Sequence, residues 1–298
     1  MTTVLIKNVF IVLSAILLFT GTTNAWWGSG HKVLTGAAVK SLPSEIPSFF
    51  RRSFATIADN SLTPDLIKNR AVARLKSSEN PEHYFDRELF ADTLSSFRHE
   101  YIKQCYEQSI APEKVGFLPY AISEYTELLA ISFAEYRQWP RRKNIRAKCL
   151  LYAGILAHYS QDLCQPLHTT IHFDGRAGDD GITSHTGIHE KVDALIEYAA
   201  FTYDSLQIKN CSLLVKEPDS LFNVLVREIE TNSALVDTIY ANEKLLLAAN
   251  NKELPVSVRD FGHERGKRSV QLTADLIYTA WKFSENIEMD SWLNQLRK

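Results

Sequence analysis

The sequence is poor in cysteine, glycine and proline: 298 residues include 4 Cys, 12 Gly and 10 Pro. So few cysteines exclude a disulfide-framework protein, and so little glycine and proline excludes a collagen-like or disordered chain. Neither charge is in excess, with 33 Lys+Arg against 35 Asp+Glu and a formal net charge of -2. That balance excludes a protein that holds nucleic acid by bulk electrostatics, so any polyanion site must be local. Cys105, Cys149, Cys164 and Cys211 form no Cys-x-x-Cys pair, which excludes a zinc ribbon. In an oxidising compartment some of them could pair, and buried thiols are the alternative reading. No Gly-x-Ser-x-Gly occurs to mark a serine nucleophile. Internal repeats, low-complexity tracts and long linkers are also missing.

What is present is ordinary globular composition, 45% hydrophobic and 11% aromatic. Residues 1–25 carry Lys7, an apolar run from Val9 to Phe19 and a small-residue end at Thr23-Asn24-Ala25. This pattern predicts a signal peptide, leaving Trp26 as the mature N-terminus of a secreted or periplasmic protein. The remaining domain, 26–298, shows long stretches of helical periodicity and almost no strand alternation. Val33, Leu34, Ala37 and Ala38 mark one helix that closes before Pro43. Pro119 opens another, with Ile122, Leu128, Leu129 and Phe133 spaced for burial. A strongly apolar helix is expected over 144–163, and further helices over 187–203, 219–249 and 256–286. The Gly- and Asp-rich stretch 173–184 reads as a loop. The expected fold is all-α, a single multi-helix domain.

Against this background the histidines and aspartates form a pattern. His158 and Asp162 lie four apart in the most apolar helix, hence on one face. His189 and Asp193 repeat the spacing, and His168 stands between the pairs, just past Pro166. Either pair alone reads as a helical hydrogen bond. Together they suit a metal site between facing helices, because ionisable groups in an apolar setting need compensation. Imidazole with carboxylate suits zinc, with iron and manganese open on ligand type alone. Asp65 follows Pro64, His83 sits in Pro-Glu-His-Tyr-Phe-Asp, and the mature start reads Trp26-Trp27-Gly28-Ser29-Gly30-His31. A free α-amine with a pKa near 8 can be a neutral nitrogen ligand, so Trp26 and His31 are candidates as well.

With these residues in view, the chain resembles the zinc-dependent phospholipase C and mung-bean-type single-strand nuclease superfamily. The resemblance runs from Trp26 to about Tyr198 and rests on His158-x-x-x-Asp162-x-x-x-x-x-His168 followed by His189-x-x-x-Asp193. It implies an all-α fold with a trinuclear zinc cluster in a cleft between helices. One zinc would take Asp65, His83, His158 and Asp162, and a second the Trp26 amine and carbonyl, His31 and the bridging Asp162. The third would take His168, His189 and Asp193. The nucleases place Trp-Ala before the first Asp, where this chain has Thr63-Pro64, so Asp59 is the alternative ligand.

The activity implied is that of an exported zinc-dependent phosphodiesterase using a zinc-bound hydroxide. Asp65, Asp162 and Lys68 are the expected catalytic residues, and Lys68, Tyr84 and Asp86 the expected substrate contacts. The early His31, the final ligand Asp193 and the long step from His168 to His189 favour the nuclease branch, with single-stranded nucleic acid or a nucleotide as substrate. The loop 169–188 departs from the nuclease pattern, and the alternative is a phospholipase C acting on a phospholipid headgroup. A reading from another class is an exported zinc-binding protein without catalysis. Arg141, Arg142, Lys143, Arg146 and Lys148 read as a solvated helix start rather than a polyanion contact. No stable protein partner is inferred.

Overall fold

The computed structural model describes residues 26–90, 93–178 and 181–296, with side chains up to residue 293. The expected signal segment 1–25 lies outside the described residues. The described chain is all-helical and closes around one hydrophobic core that includes Trp26, Leu34, Phe85, Tyr101, Leu156 and Leu276.

The expected apolar helix runs Lys143–Leu163, and every residue from Ala153 to Leu163 is buried. A helix apolar on all sides belongs in an interior, and this one is the central element. A short turn joins it to Leu118–Gln138, whose second residue, Pro119, has the backbone angle of a first helical turn already set. The long helix Val256–Phe283 packs on both, and the N-terminal helix Gly28–Lys40 packs on the central and long helices together. Close approach of Phe54–Asn60 to the central helix depends on Gly154, where a Cβ would lie 2.4 Å from Asn60 Cβ and 2.8 Å from the Ile57 carbonyl oxygen.

Three expectations change. The single helix expected over 219–249 is three: Leu221–Ser233, Val236–Ala241 and Glu243–Ala248. The Asn232 and Asn242 side-chain amides donate to the Glu228 and Thr238 carbonyls at 2.8 and 2.9 Å, the local competition that weakens a helix at such residues. The helix expected over 187–203 is replaced by Ile188–Asp193 and Leu195–Tyr198, closed by Ala200 at φ 50° and a return bond from Phe201 N–H to the Ile196 carbonyl. Leu128 lies on the outer side of its helix, while Ile122, Leu129 and Phe133 are buried as expected.

Cys105, Cys149, Cys164 and Cys211 are free thiols, the first three buried. Among the described residues no helix is long and apolar enough to cross a membrane.

Candidate metal centre

The central helix brings His158 and Asp162 to one interior face, one turn apart, with His158 Nε2 3.4 Å from Asp162 Oδ2. From the N-terminal helix, His31 Nε2 approaches the other oxygen, Asp162 Oδ1, at 3.5 Å. His83 arrives on the short turn Asn80–His83, its Nδ1 2.9 Å from Asp162 Oδ2 and 3.1 Å from His158 Nε2. Asp65 Oδ1 stands 3.8 Å from His158 Nε2 and 2.8 Å from Lys68 Nζ. A second group forms where the chain leaves the central helix: His168 and His189 face each other with Nε2 atoms 3.1 Å apart, and Asp193 Oδ2 is 3.3 Å from His189 Nε2. The structure thus gathers three metal-compatible groups: His31 with Asp65 and His158; His83 with His158 and Asp162; His168 with His189 and Asp193.

Hydrogen bonds on the outer side of four of the five rings set their tautomers. His158 Nδ1–H donates to the Ser61 carbonyl at 2.8 Å, His168 Nδ1–H to the His83 carbonyl at 2.6 Å, and His189 Nδ1–H to the Phe173 carbonyl at 3.1 Å. His31 Nδ1–H donates to Gln161 Oε1 at 2.7 Å, because the Gln161 amide is itself spent on Thr35 Oγ1. These four rings therefore turn a bare Nε2 lone pair inward, whereas His83 turns its Nδ1 towards Asp162 and His158. Two such lone pairs 3.1 Å apart, as on His168 and His189, repel unless a cation lies between them. Asp162 Oδ1 and His83 Nε2 are buried without a hydrogen bond.

The electrostatics agree. Burial pushes the His83, His158 and His168 imidazoliums well below their usual range and His189 down to about 4, so the rings are neutral. Burial, reinforced by Asp65, pushes the Asp162 carboxyl well above its ordinary range, and burial does the same to Asp193. Neutral imidazoles and buried carboxylates, of which Asp65 is paired with Lys68, form a donor set that a divalent cation satisfies, and they fit zinc.

The metal groups open onto a pocket of about 180 Å³ lined by Lys68, Asn80, His83, Tyr84, Asp86, Leu167, His168, Phe173 and His189. Lys68, Tyr84 and Asp86, expected to meet substrate, are therefore all on its wall. Tyr84 is anchored by its hydroxyl, which donates to the Glu113 carbonyl at 2.6 Å. The wall segment 83–85 is held by Gly116, which has φ 101° and a position where a Cβ would lie 2.0 Å from the Tyr84 carbonyl oxygen. Burial pushes the Asp86 carboxyl well above its usual range.

Other expected residues separate from the site or play smaller parts. Asp59 is 69% exposed and pairs with Lys32 at 2.6 Å, away from the histidines that Asp65 meets. Trp26 is buried and its indole N–H donates to the Gln161 carbonyl at 3.1 Å, which lays this residue along the central helix. Within the basic cluster, Lys148 pairs with Glu135 and Arg146 lies over the Phe49 ring. Along the helix, Lys143 and His158 are separated by about 22 Å, at about 1.5 Å per residue. His172 Nδ1 accepts from the Ala177 N–H at 2.9 Å, and His185 is exposed beside Asp174.

Sequence reasoning missed the residues that aim the ligands. Gln161 orients His31, Gln165 Nε2 donates to Asp193 Oδ1 at 2.7 Å, and Asp174 Oδ1 accepts from the Gly187 N–H at 2.8 Å. The signal available was Gln161, next to Asp162 in the central helix, and Gln165 just past the end of that helix.

No family model and no curated protein matches the chain. Among solved structures it is similar to "Alpha Toxin from Clostridium Absonum", at 14% identity and a TM-score of 0.48, over 88% of this chain and 66% of that one. The chain thus spans slightly less than two thirds of that protein, and so distant a likeness assigns no activity.

Proposed function

We propose that this chain is a zinc-dependent hydrolase of phosphate esters whose substrate is a phospholipid headgroup. One observation carries the reading: inward-facing bare nitrogens and buried carboxylates open onto a pocket that also presents Lys68. Asp65, His83, His158 and Asp162, with His31 and the Trp26 amine, would hold two ions, and His168, His189 and Asp193 a third. Bound dications supply water acidified towards neutral pH and positive charge against the phosphoryl group. Lys68 contributes a fixed positive charge for a phosphate oxygen and is oriented by Asp65. Leu167, Tyr84 and Phe173 exclude water from the same space.

A headgroup is favoured over a polynucleotide by the pocket's size and charge. It carries one ammonium, Lys68, and a carboxyl, Asp86, which suits a single phosphodiester. An extended strand needs a cationic track with rings for stacking; the cluster 141–148 lies at the far end of the central helix, and the basic stretch 66–76 beside the pocket has no aromatic residue. Tyr84 and Asp86 on the wall favour a second reading, with a base stacked and hydrogen-bonded there, as in a single-strand nuclease.

Zinc content should be measured on protein beginning at Trp26, with phosphatidylcholine and single-stranded DNA hydrolysed in parallel. About three zincs with lipid cleavage is the expected result. DNA cleavage alone would transfer the site to the second reading. Retained zinc with no hydrolysis of either would leave a zinc-binding protein without catalysis.

A further inference from the structure

Between two residues of the pocket wall, Lys68 and Asn80, the chain makes an excursion that the core does not explain. Residues 66–78, Leu-Ile-Lys-Asn-Arg-Ala-Val-Ala-Arg-Leu-Lys-Ser-Ser, carry Lys68, Arg70, Arg74 and Lys76 and no acid, in a protein whose formal net charge is -2. The helix inside this stretch, Ala73–Glu79, has no buried residue at all. Its hydrophobic side chains face solvent: Leu66 is 68% exposed, Leu75 52% and Val72 43%. Val72 stands at the N-cap of that helix and Leu75 in its first turn. The acids at either end turn inward, Asp65 towards Lys68 and Glu79 towards His83 and the Tyr159 hydroxyl.

We infer that the segment 66–76 is a docking surface for an anionic lipid bilayer, seating the mouth of the pocket against the membrane. Aliphatic side chains with basic residues between them match a bilayer on both counts, apolar insertion below the headgroups and attraction to acidic lipid at their level. A nucleic-acid surface would instead interleave aromatic rings for stacking, and this stretch contains none. The inference rests on the headgroup reading, because it brings the proposed substrate to the pocket wall.

The test uses sedimentation with vesicles of phosphatidylcholine alone or mixed with phosphatidylserine, for the intact protein and two double variants. The expected result is binding to the mixed vesicles that falls with added salt. Val72→Ser with Leu75→Ser should weaken it about tenfold or more. Arg74→Glu with Lys76→Glu should do so by at least about tenfold, since each basic residue near an acidic leaflet contributes about fivefold. Both variants should keep wild-type zinc content and cleave a monomeric short-chain phosphatidylcholine at the wild-type rate, because none of the four side chains lines the pocket. No affinity for mixed vesicles, or equal affinity in the variants, would overturn the docking surface. Vesicle binding with the expected variant losses but no lipid hydrolysis would uphold the surface and overturn the headgroup reading.

Discussion

At the scale of the residue, the site depends on which atom of each side chain is left over after its neighbours are satisfied. Asp162 offers one oxygen to His83 and His158 and the other towards His31, so it serves two groups at once. Asp162→Asn should therefore release two metals together and abolish hydrolysis, read by zinc content against activity. Gln161→Ala leaves the ligands intact and frees the His31 ring; zinc affinity measured by chelator competition should fall about 10- to 100-fold, the usual cost of losing an orienting partner. Lys68→Ala should keep its zinc while kcat falls about 100- to 1,000-fold, the range for removing one charge-stabilising donor.

Away from the site, Asp275 accepts the Ser212 N–H at 2.6 Å, and burial pushes its carboxyl above the ordinary range. A raised folded pKa stabilises below the unfolded value and loses that contribution as pH rises through the folded one. Asp275→Asn keeps an acceptor and removes the charge, so the urea midpoint should rise at pH 7, and the gain should fade towards about pH 4.

At the scale of the element, the central helix is both the middle of the core and the frame of the metal centre, and packing faults reach the ligands directly. Gly154 lies one turn before His158 and sets how closely Phe54–Asn60 approaches; Ser61, which caps that segment, supplies the carbonyl that fixes the His158 tautomer. Gly154→Val forces the two helices apart. It should cost about 1–3 kcal/mol, as overpacking generally does, and lower zinc affinity as well. A denaturation series on zinc-loaded and chelated protein separates the two effects: a loss confined to the chelated form would mean that the helix contact does not position His158.

At the scale of the whole molecule, the proposed metal binding would form one equilibrium with folding. Burial disfavours the ionised forms of Asp162 and Asp193, a cost that a bound cation would offset only in the folded chain. Each zinc removed should lower stability by about 3–4 kcal/mol if its site is normally filled at 100 to 1,000 times its Kd. That corresponds to a drop in Tm of about 6–15 °C by calorimetry. An unchanged Tm after complete zinc removal would mean that the three groups are ordinary buried polar networks.

The sequence by itself determined the helical class and much of the candidate ligand set, because both are written in short-range spacing. Four-residue steps placed His158 with Asp162 and His189 with Asp193 on common faces, and apolar residues around the whole circumference marked 144–163 as an interior helix. Spacing has no information about partners more than a hundred residues apart. The meeting of His31 with Asp162 was legible only through a resemblance, and the roles of Gln161 and Gln165 in holding His31 and Asp193 were not legible at all. The breaks within 219–249 also escaped, since asparagine amides compete with a helix only when their own geometry lets them reach the preceding turn. Tertiary structure alone decided that Asp65, and not the exposed Asp59, faces the histidines. It also decided that Leu66, Val72 and Leu75 are left outside the core, because burial depends on what packs against a helix and not on the helix's own sequence.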